Sequence, residues 1–345
     1  MLADNILRNM EISINKSNYL KGIAIILMLI HHLFAYPSRI SPDIPVYYIV
    51  SGINIEMYLG LFGKICVSMF LFLSGYGFSL KKEISFKYIW GKLKNLYISY
   101  WIVLFIFVPI GIIFFPGERY SLSPSLFIEN LIGLKSTYNS EWWFFKLYVL
   151  YVLSLPLLSK LNTTTLLGLL FAAALCGRGL QYFPWAPQML IEYCTWLLPF
   201  GFGMVFGRTQ RAPADSWLAK LIDTLGRTHP LILLVVTVAV FIVAHNPGLL
   251  VVTPLFIIAM MKTADGLGSR VNKVVVELGK HSMYMWLTHS FYCYYFTQKL
   301  IFAPRYTPLV LLLLILVSYL TSLVLSRIEL AIKSGGMRGK VRASE

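Results

Sequence analysis

The sequence predicts an all-α protein with about ten membrane-spanning helices and both termini in the cytoplasm. Three observations support this fold class: 57% of the 345 residues are hydrophobic, only 13% are charged, and the mean hydropathy is +0.70. Soluble domains contain about 25% charged residues, and even a large soluble domain leaves roughly a quarter of its surface in water. The composition therefore excludes a soluble globular protein. A disulfide scaffold is excluded too, because the four cysteines are sparse and none has CxxC spacing.

Ten apolar segments are candidates to cross a hydrocarbon core about 30 Å thick as helices. The seventh and eighth segments are short, and the sequence His-Asn-Pro-Gly at 245–248 joins them. The ten segments cover residues 20–37, 59–80, 95–115, 142–159, 162–181, 188–207, 230–246, 248–262, 281–301 and 307–330.

The distribution of lysine and arginine predicts the orientation of these segments. With a cytoplasmic N-terminus, 22 of the 30 basic residues fall on the cytoplasmic side and six on the opposite side, as the positive-inside rule requires. This topology accounts for the net charge of +15 without nucleic-acid binding. It predicts a cytoplasmic segment at 1–19, a transmembrane domain at 20–331 and a cytoplasmic tail at 332–345.

Several ionisable side chains lie where lipid is expected, and each needs an interior partner or a function, since its insertion costs at least about 2.5 kcal/mol. They are His31, His32, Lys64, Lys146, Glu192 and His289, with Glu141 at a span entrance. Lys21 and His32 are eleven residues apart, so they share one face of a helix, with the imidazole about 16 Å deeper than the ammonium group. This arrangement suits a site for an anionic cofactor from the cytoplasm. The structural alternative is a helix-end lysine with a buried, hydrogen-bonded histidine pair.

Five stretches, in this order, resemble the acyltransferase-3 family of bacterial membrane proteins. The first is the pair Lys21 and His32, with ten residues between them. The others are the phenylalanine-rich stretch 68–76 with its Ser74-Gly75 pair, the basic segment 92–96 before Tyr100-Trp101, the Glu-Trp-Trp-Phe-Phe sequence 141–145, and the segment 278–289 that ends at His289. Each stretch is weak evidence alone, but five in the family's order form a specific pattern.

The resemblance implies O-acylation in the bacterial cytoplasmic (inner) membrane. An acyl group, most often acetyl from cytoplasmic acetyl-CoA, is transferred to a hydroxyl of a cell-envelope saccharide. His32 is then either the base that deprotonates the hydroxyl or a transient acyl carrier. Lys21, Lys92 and Lys94 are expected to hold the phosphates of coenzyme A. The sequence departs from the family in having lysine where arginine is usual, which removes a bidentate phosphate contact. His31 competes with His32 for the catalytic role, and the spacing from Lys21 favours His32.

The remaining site candidates each have a structural alternative. His289 either assists acid–base chemistry or is a packed structural histidine. Ser74 is a substrate-binding candidate, although Ser74-Gly75 is more typical of close helix packing. Trp143, together with Trp142, is either a sugar platform or part of the interfacial aromatic belt. Glu141 either binds a sugar hydroxyl or pairs with Lys146. No metal site is predicted.

The sequence also permits other functions and several partners. A proton-coupled transporter or flippase of a saccharide or lipid-linked intermediate is the main alternative, and a sensory membrane protein is a third interpretation. The absence of paired inverted halves counts against a transporter. The expected partners are an envelope glycan or lipid-linked saccharide and membrane lipids, without nucleic acid. A homo-oligomer or a separate acyl-accepting partner is compatible with the sequence.

Overall fold

The computed structural model describes residues 10–213, 216–266 and 268–342, with side chains described as far as residue 334 except at 265. In this part of the chain the fold is all-helical, and one parallel bridge between Tyr47 and Tyr306 is its only β pairing. The ends of the predicted cytoplasmic segment and tail, residues 1–9 and 343–345, lie outside the described residues. The predicted all-α class is thus confirmed.

Thirteen α-helices follow one another along the described chain. They are α1 Ile14–Phe34, α2 Ile55–Gly63, α3 Ile65–Ser79, α4 Phe86–Phe114, α5 Pro124–Leu131, α6 Trp143–Leu158, α7 Thr163–Leu180, α8 Gln188–Thr209, α9 Trp217–Arg227, α10 Pro230–Gly266, α11 Ser269–Ser290, α12 Gln298–Ile301 and α13 Thr307–Arg342. Short 3₁₀ turns occupy Pro37–Arg39, Glu118–Tyr120 and Ser140–Trp142, and a π-helical turn occupies Phe291–Tyr295.

Eight helical stretches of the described chain are long and apolar enough to cross a membrane. They are Ile14–Phe34, Ile55–Ser79, Phe86–Phe114, Ser140–Leu158, Thr163–Leu180, Gln188–Thr209, Pro230–Ala264 and Thr307–Ser334. The predicted seventh and eighth spans fall in one of them, α10, which is broken at His245 (φ 50°, ψ −138°). The predicted ninth span falls on α11, the π-helical turn and α12. The count of ten spans and the cytoplasmic termini therefore stay predictions.

Helix α1 contains both Lys21 and His32. It begins after Ser13, whose hydroxyl accepts a hydrogen bond from the Lys16 amide at 3.2 Å, which satisfies a donor of the first turn. It ends at Phe34, three residues before Pro37, where the proline ring disfavours a continued helix. Its 21 residues rise about 31 Å, the thickness of a hydrocarbon core.

The helices form two compact units. The first unit comprises residues 1–28, 61–86 and 150–280, and the second comprises residues 29–60, 87–149 and 281–345. Their segments alternate along the sequence, so each unit is built from parts that are distant in the chain.

Glycines allow close packing of α3 and α8 in the first unit. A Cβ added at Gly75 would lie 1.9 Å from the carbonyl oxygen of Phe200, and one at Gly203 would lie 1.9 Å from the carbonyl oxygen of Phe72. Small residues are the usual means by which membrane helices approach closely. The structural interpretation of the Ser74-Gly75 pair is consistent with this contact.

Replacing Gly75 with alanine is expected to destabilise the protein by about 1–3 kcal/mol, because the new methyl group would collide with backbone. Gly77→Ala is the matched control on the same helix, since a Cβ there would have no contact within 4 Å with other described parts of the protein beyond its own stretch of helix. Thermal unfolding of the purified variants measures the difference. Equal midpoints for the two variants would contradict the packing described for α3 and α8.

Aromatic side chains form the core of the second unit. Tyr100 of α4 stacks on Phe145 at 4.1 Å between ring centroids, and Phe107 stacks on Phe291 at 4.7 Å. Trp142 is buried among these rings and donates a hydrogen bond to the Leu287 carbonyl at 3.0 Å. This core fixes the start of α6 against α11 and so positions residue 141.

Candidate active site

His32 lies in the last turn of α1, in the second unit. Its Nε2 atom is 3.6 Å from the Oε2 atom of Glu141, which is an ion-pair distance. Its ring centroid is 4.7 Å from that of His289. Residues distant in the sequence thus place a carboxylate and a second imidazole beside His32. The structure thus brings two other predicted site residues, Glu141 and His289, together with it.

Hydrogen bonds to its backbone and an ion pair with its carboxylate both fix the position of Glu141. The Asn139 side chain accepts a hydrogen bond from the Glu141 amide at 3.0 Å, which caps the 3₁₀ turn Ser140–Trp142. The indole of Trp286 donates to the Glu141 carbonyl at 3.3 Å. The side chain is only 10% exposed, and its Oε1 atom is 3.4 Å from Arg39 Nη1. A buried carboxylate requires such a cationic partner.

Arg39 and Tyr294 complete a ring of contacts around His32. Arg39 Nη1 donates to the Tyr294 hydroxyl at 3.3 Å, and its guanidinium carbon lies 5.0 Å from the Tyr36 ring and 5.2 Å from the Tyr294 ring. The Tyr294 hydroxyl donates to the His32 carbonyl and lies 3.4 Å from His32 Nδ1. The order of contacts is therefore His32, Glu141, Arg39, Tyr294 and back to His32.

His289 is completely buried and has a defined tautomer. Its Nδ1 atom is 2.7 Å from the Trp286 carbonyl oxygen, which only accepts, so Nδ1 carries the proton. Its Nε2 atom is buried and makes no hydrogen bond within the described part of the protein. Since the His289 residue is 0% exposed and the His32 side chain is 11% exposed, His32 is the more accessible of the two rings.

His31 occupies a different environment from His32. Its Nδ1 atom is 2.7 Å from the Gly60 carbonyl oxygen. Gly60 itself packs against α1, since a Cβ there would lie 2.5 Å from the Ala35 amide nitrogen. His31 therefore ties the end of α1 to α2. His31 thus contacts a backbone carbonyl, whereas His32 lies beside a carboxylate and a second imidazole, and the choice of His32 as the catalytic histidine stays a prediction.

The predicted cofactor-binding lysines lie in both units. Lys21 is half-buried in the first unit, with Nζ 3.5 Å from Asn18 Oδ1. Lys92 and Lys94 are exposed near the start of α4 in the second unit, and Lys92 Nζ is 5.6 Å from the Tyr88 ring. A shared site for the three lysines stays a prediction.

The predicted substrate-binding residues also belong to different units. Ser74 belongs to the first unit, and its hydroxyl donates to the Phe70 carbonyl at 2.8 Å within its own helix. Trp143 is half-buried in the second unit, next to Phe144. Glu141 forms ion pairs with Arg39 and His32. The suggested pairing of Glu141 with Lys146, five residues later in the chain, is therefore wrong.

Sequence reasoning missed Arg39 and Tyr294 as site residues. Arg39 follows the first apolar segment, and in the sequence it is distinguished only as one of the six basic residues predicted on the side opposite the cytoplasm. Tyr294 lies in the aromatic run 291–296. Neither belongs to a motif. The only available signal was the proximity of Arg39 to the first span, seven residues after His32.

The fold and this site define an integral-membrane protein with a buried cluster of ionisable groups, the usual mark of function within a membrane. The model of the acyltransferase-3 family, described as "Acyltransferase domain", matches residues 14–327. No curated protein and no solved structure matches the chain at a significant level. The match covers nearly the whole chain, and the protein belongs to the acyltransferase-3 family.

Proposed function

We propose that the protein transfers an acyl group, acetyl in the simplest case, from cytoplasmic acyl-CoA to a hydroxyl of a cell-envelope saccharide in the bacterial inner membrane. The family supports a membrane O-acyltransferase. The observation that carries the proposal is the position of His32, with Nε2 3.6 Å from a carboxylate that Arg39 holds. An imidazole is the side chain best suited to accept and release a proton near neutral pH.

The contacts of His32 favour a role as general base. The negative charge of Glu141, 3.6 Å from Nε2, favours the His32 tautomer with its proton on Nε2 and the lone pair on Nδ1. The Tyr294 hydroxyl directs its proton to the His32 carbonyl and leaves that lone pair available. When the ring takes a proton, the adjacent carboxylate stabilises the imidazolium, as in hydrolase triads.

The proposed transfer conserves atoms and protons. Bound acyl-CoA supplies a thioester carbonyl as electrophile. His32 takes the proton of the acceptor hydroxyl, whose oxygen forms a new C–O bond at that carbonyl while the C–S bond breaks. The imidazolium then returns its proton to the leaving sulfur, so the products are an ester and a thiol.

The lysines at the predicted cytoplasmic edge fit a donor that carries phosphates. Lys92 and Lys94 are exposed, and an ammonium group binds phosphate as a point charge. Replacing both with glutamine is expected to raise the KM for acetyl-CoA by up to about 30-fold with little change in kcat, since each exposed contact contributes at most about 1 kcal/mol. Steady-state kinetics with varied acetyl-CoA measure this. The control is Lys87→Gln on the same helix, and an unchanged KM in the double variant would contradict the assignment.

Membranes containing the protein, incubated with radiolabelled acetyl-CoA, test the proposed function. Label in alkali-labile glycan esters is the expected result. Uptake of solute without ester formation would instead favour the proton-coupled transporter or flippase, with the buried histidines as a proton relay.

A further inference from the structure

A second arginine, Arg119, lies close to the ring of contacts around His32. Its Nη1 atom donates to the Thr137 carbonyl at 2.8 Å, and its guanidinium carbon lies 4.4 Å from the centre of the Tyr295 ring. The residue is exposed. Within the described part of the chain, it forms no ion pair, even with the adjacent Glu118.

The two arginines are held on consecutive tyrosines. Arg39 stacks on Tyr294 and Arg119 stacks on Tyr295, and the centres of these two rings are 6.0 Å apart. The Tyr295 hydroxyl is also 2.6 Å from the hydroxyl of Ser140, the residue before Glu141. Arg119 is therefore positioned next to the segment that carries the carboxylate partner of His32.

Of the two arginines, Arg39 has a direct ion pair in the described part of the protein and Arg119 has none. Glu141 is the carboxylate that pairs with Arg39, whereas the hydrogen-bond acceptor of Arg119 within the described residues is a neutral carbonyl. A guanidinium has five N–H donors in a fixed fork that matches a carboxylate or a phosphate. Arg119 uses Nη1 for the Thr137 carbonyl, and the residue is exposed, so its other donors are available to a ligand.

We propose that Arg119, held on Tyr295, forms a subsite for an anionic group of the acceptor, either a sugar carboxylate or a phosphate on the saccharide. The proposal rests on the proposed function, because it names the class of acceptor that His32 would acylate. The subsite places the anion beside Ser140 and Glu141 and so directs a neighbouring hydroxyl of the same saccharide to the cluster.

Binding of three small probes to the purified full-length protein tests the subsite. The probes are phenyl β-glucuronide, phenyl β-glucoside and phenyl β-glucoside 6-phosphate, which share a sugar ring and differ in charge. The readout is the shift of the thermal unfolding midpoint with probe concentration, which reports binding without any acyl transfer. We expect tighter binding of the charged probes than of the glucoside, and Arg119→Gln is expected to weaken their binding about tenfold.

Lys135→Gln is the matched control, because Lys135 is an exposed cation two residues before Thr137 in the chain and its partner is Glu129, at 2.9 Å. It is expected to bind the charged probes as the wild type does. A stronger shift with the glucuronide or with the phosphate identifies the source of the anion. Equal binding of all three probes, no binding to the wild type at millimolar concentration, or unchanged binding to Arg119→Gln would overturn the subsite. None of these results depends on acyl transfer, so they are distinct from a failure of the proposed function.

Discussion

Replacing His32 with alanine is expected to lower the rate of ester formation by a factor of about 100 to 10,000, the usual contribution of a general base. The other groups of the cluster keep partners in this variant, since Glu141 still pairs with Arg39. The protein should therefore remain folded in the membrane. Radiolabel transfer from acetyl-CoA and thermal unfolding, measured on the same preparation, separate loss of chemistry from loss of structure.

Two other histidines are controls for His32. His31→Ala is expected to lower the unfolding midpoint, because it removes the contact of α1 with the Gly60 carbonyl, but to retain transfer. His229→Ala, in the first unit, removes one exposed hydrogen bond from the Leu231 amide at 3.3 Å and is expected to retain full transfer with little change in the midpoint. A His32→Ala variant that keeps more than about a tenth of the wild-type rate is incompatible with the general-base contribution. Loss of transfer in His31→Ala with full activity in His32→Ala would reverse the two assignments.

Replacing Glu141 with glutamine is expected to have the second-largest effect, a decrease in kcat of about 100-fold or more. Glutamine keeps the shape of the side chain but removes the charge that stabilises a protonated His32. Removal of a preorganised electrostatic contact in other enzymes costs about 100- to 1,000-fold in kcat. Stopped assays at saturating acetyl-CoA measure the change, because the effect is expected on kcat rather than on KM.

The control for Glu141 is Glu129→Gln. Glu129 forms an exposed ion pair with Lys135 at 2.9 Å in the same unit, and exposed pairs contribute at most about 1 kcal/mol. The Glu129→Gln variant should leave kcat unchanged. If Glu141→Gln raises only the KM for the acceptor, Glu141 binds a sugar hydroxyl, as the sequence alternatively suggests, and does not act through His32.

Local patterns predicted the helical fold because lipid leaves the backbone few alternatives. A spanning segment must satisfy its own hydrogen bonds, so a long apolar run predicts a helix directly. Helix α1 illustrates this: its apolar run is visible in the sequence, although the predicted segment 20–37 begins six residues after the start of the helix at Ile14 and extends three residues past its end at Phe34. The two short predicted spans, the seventh and the eighth, both fall in α10, where His245 adopts a positive φ.

The composition of the site was only partly predictable, for a physical reason. His32, Glu141 and His289 attract attention because each is an ionisable group in or beside an apolar segment. Arg39 and Tyr294 do not, since an arginine after a span and a tyrosine in an aromatic run are both ordinary. Arg39 and Tyr294 contact each other although they are 255 positions apart in the chain. The local hydrophobic pattern of a sequence does not predict such a contact.

Trp142 shows the same limit. In the sequence it is adjacent to Trp143 and typical of an interfacial belt, but the structure buries it in the aromatic core with its indole bonded to the Leu287 carbonyl. The neighbouring Trp143 is half-buried, so it remains the sugar-platform candidate of the two.

The ester-linked acyl content of envelope glycans tests the proposed role of this protein most directly. It is measured in a strain whose own copy of the gene is deleted. This strain carries an introduced copy of either the wild type or His32→Ala, with equal amounts of protein in the membrane. Alkali-labile acyl groups, located by NMR on one sugar hydroxyl, should be present with the wild type and absent with the variant. Identical glycans in the two strains, whether acylated or not, would contradict acyl transfer at His32.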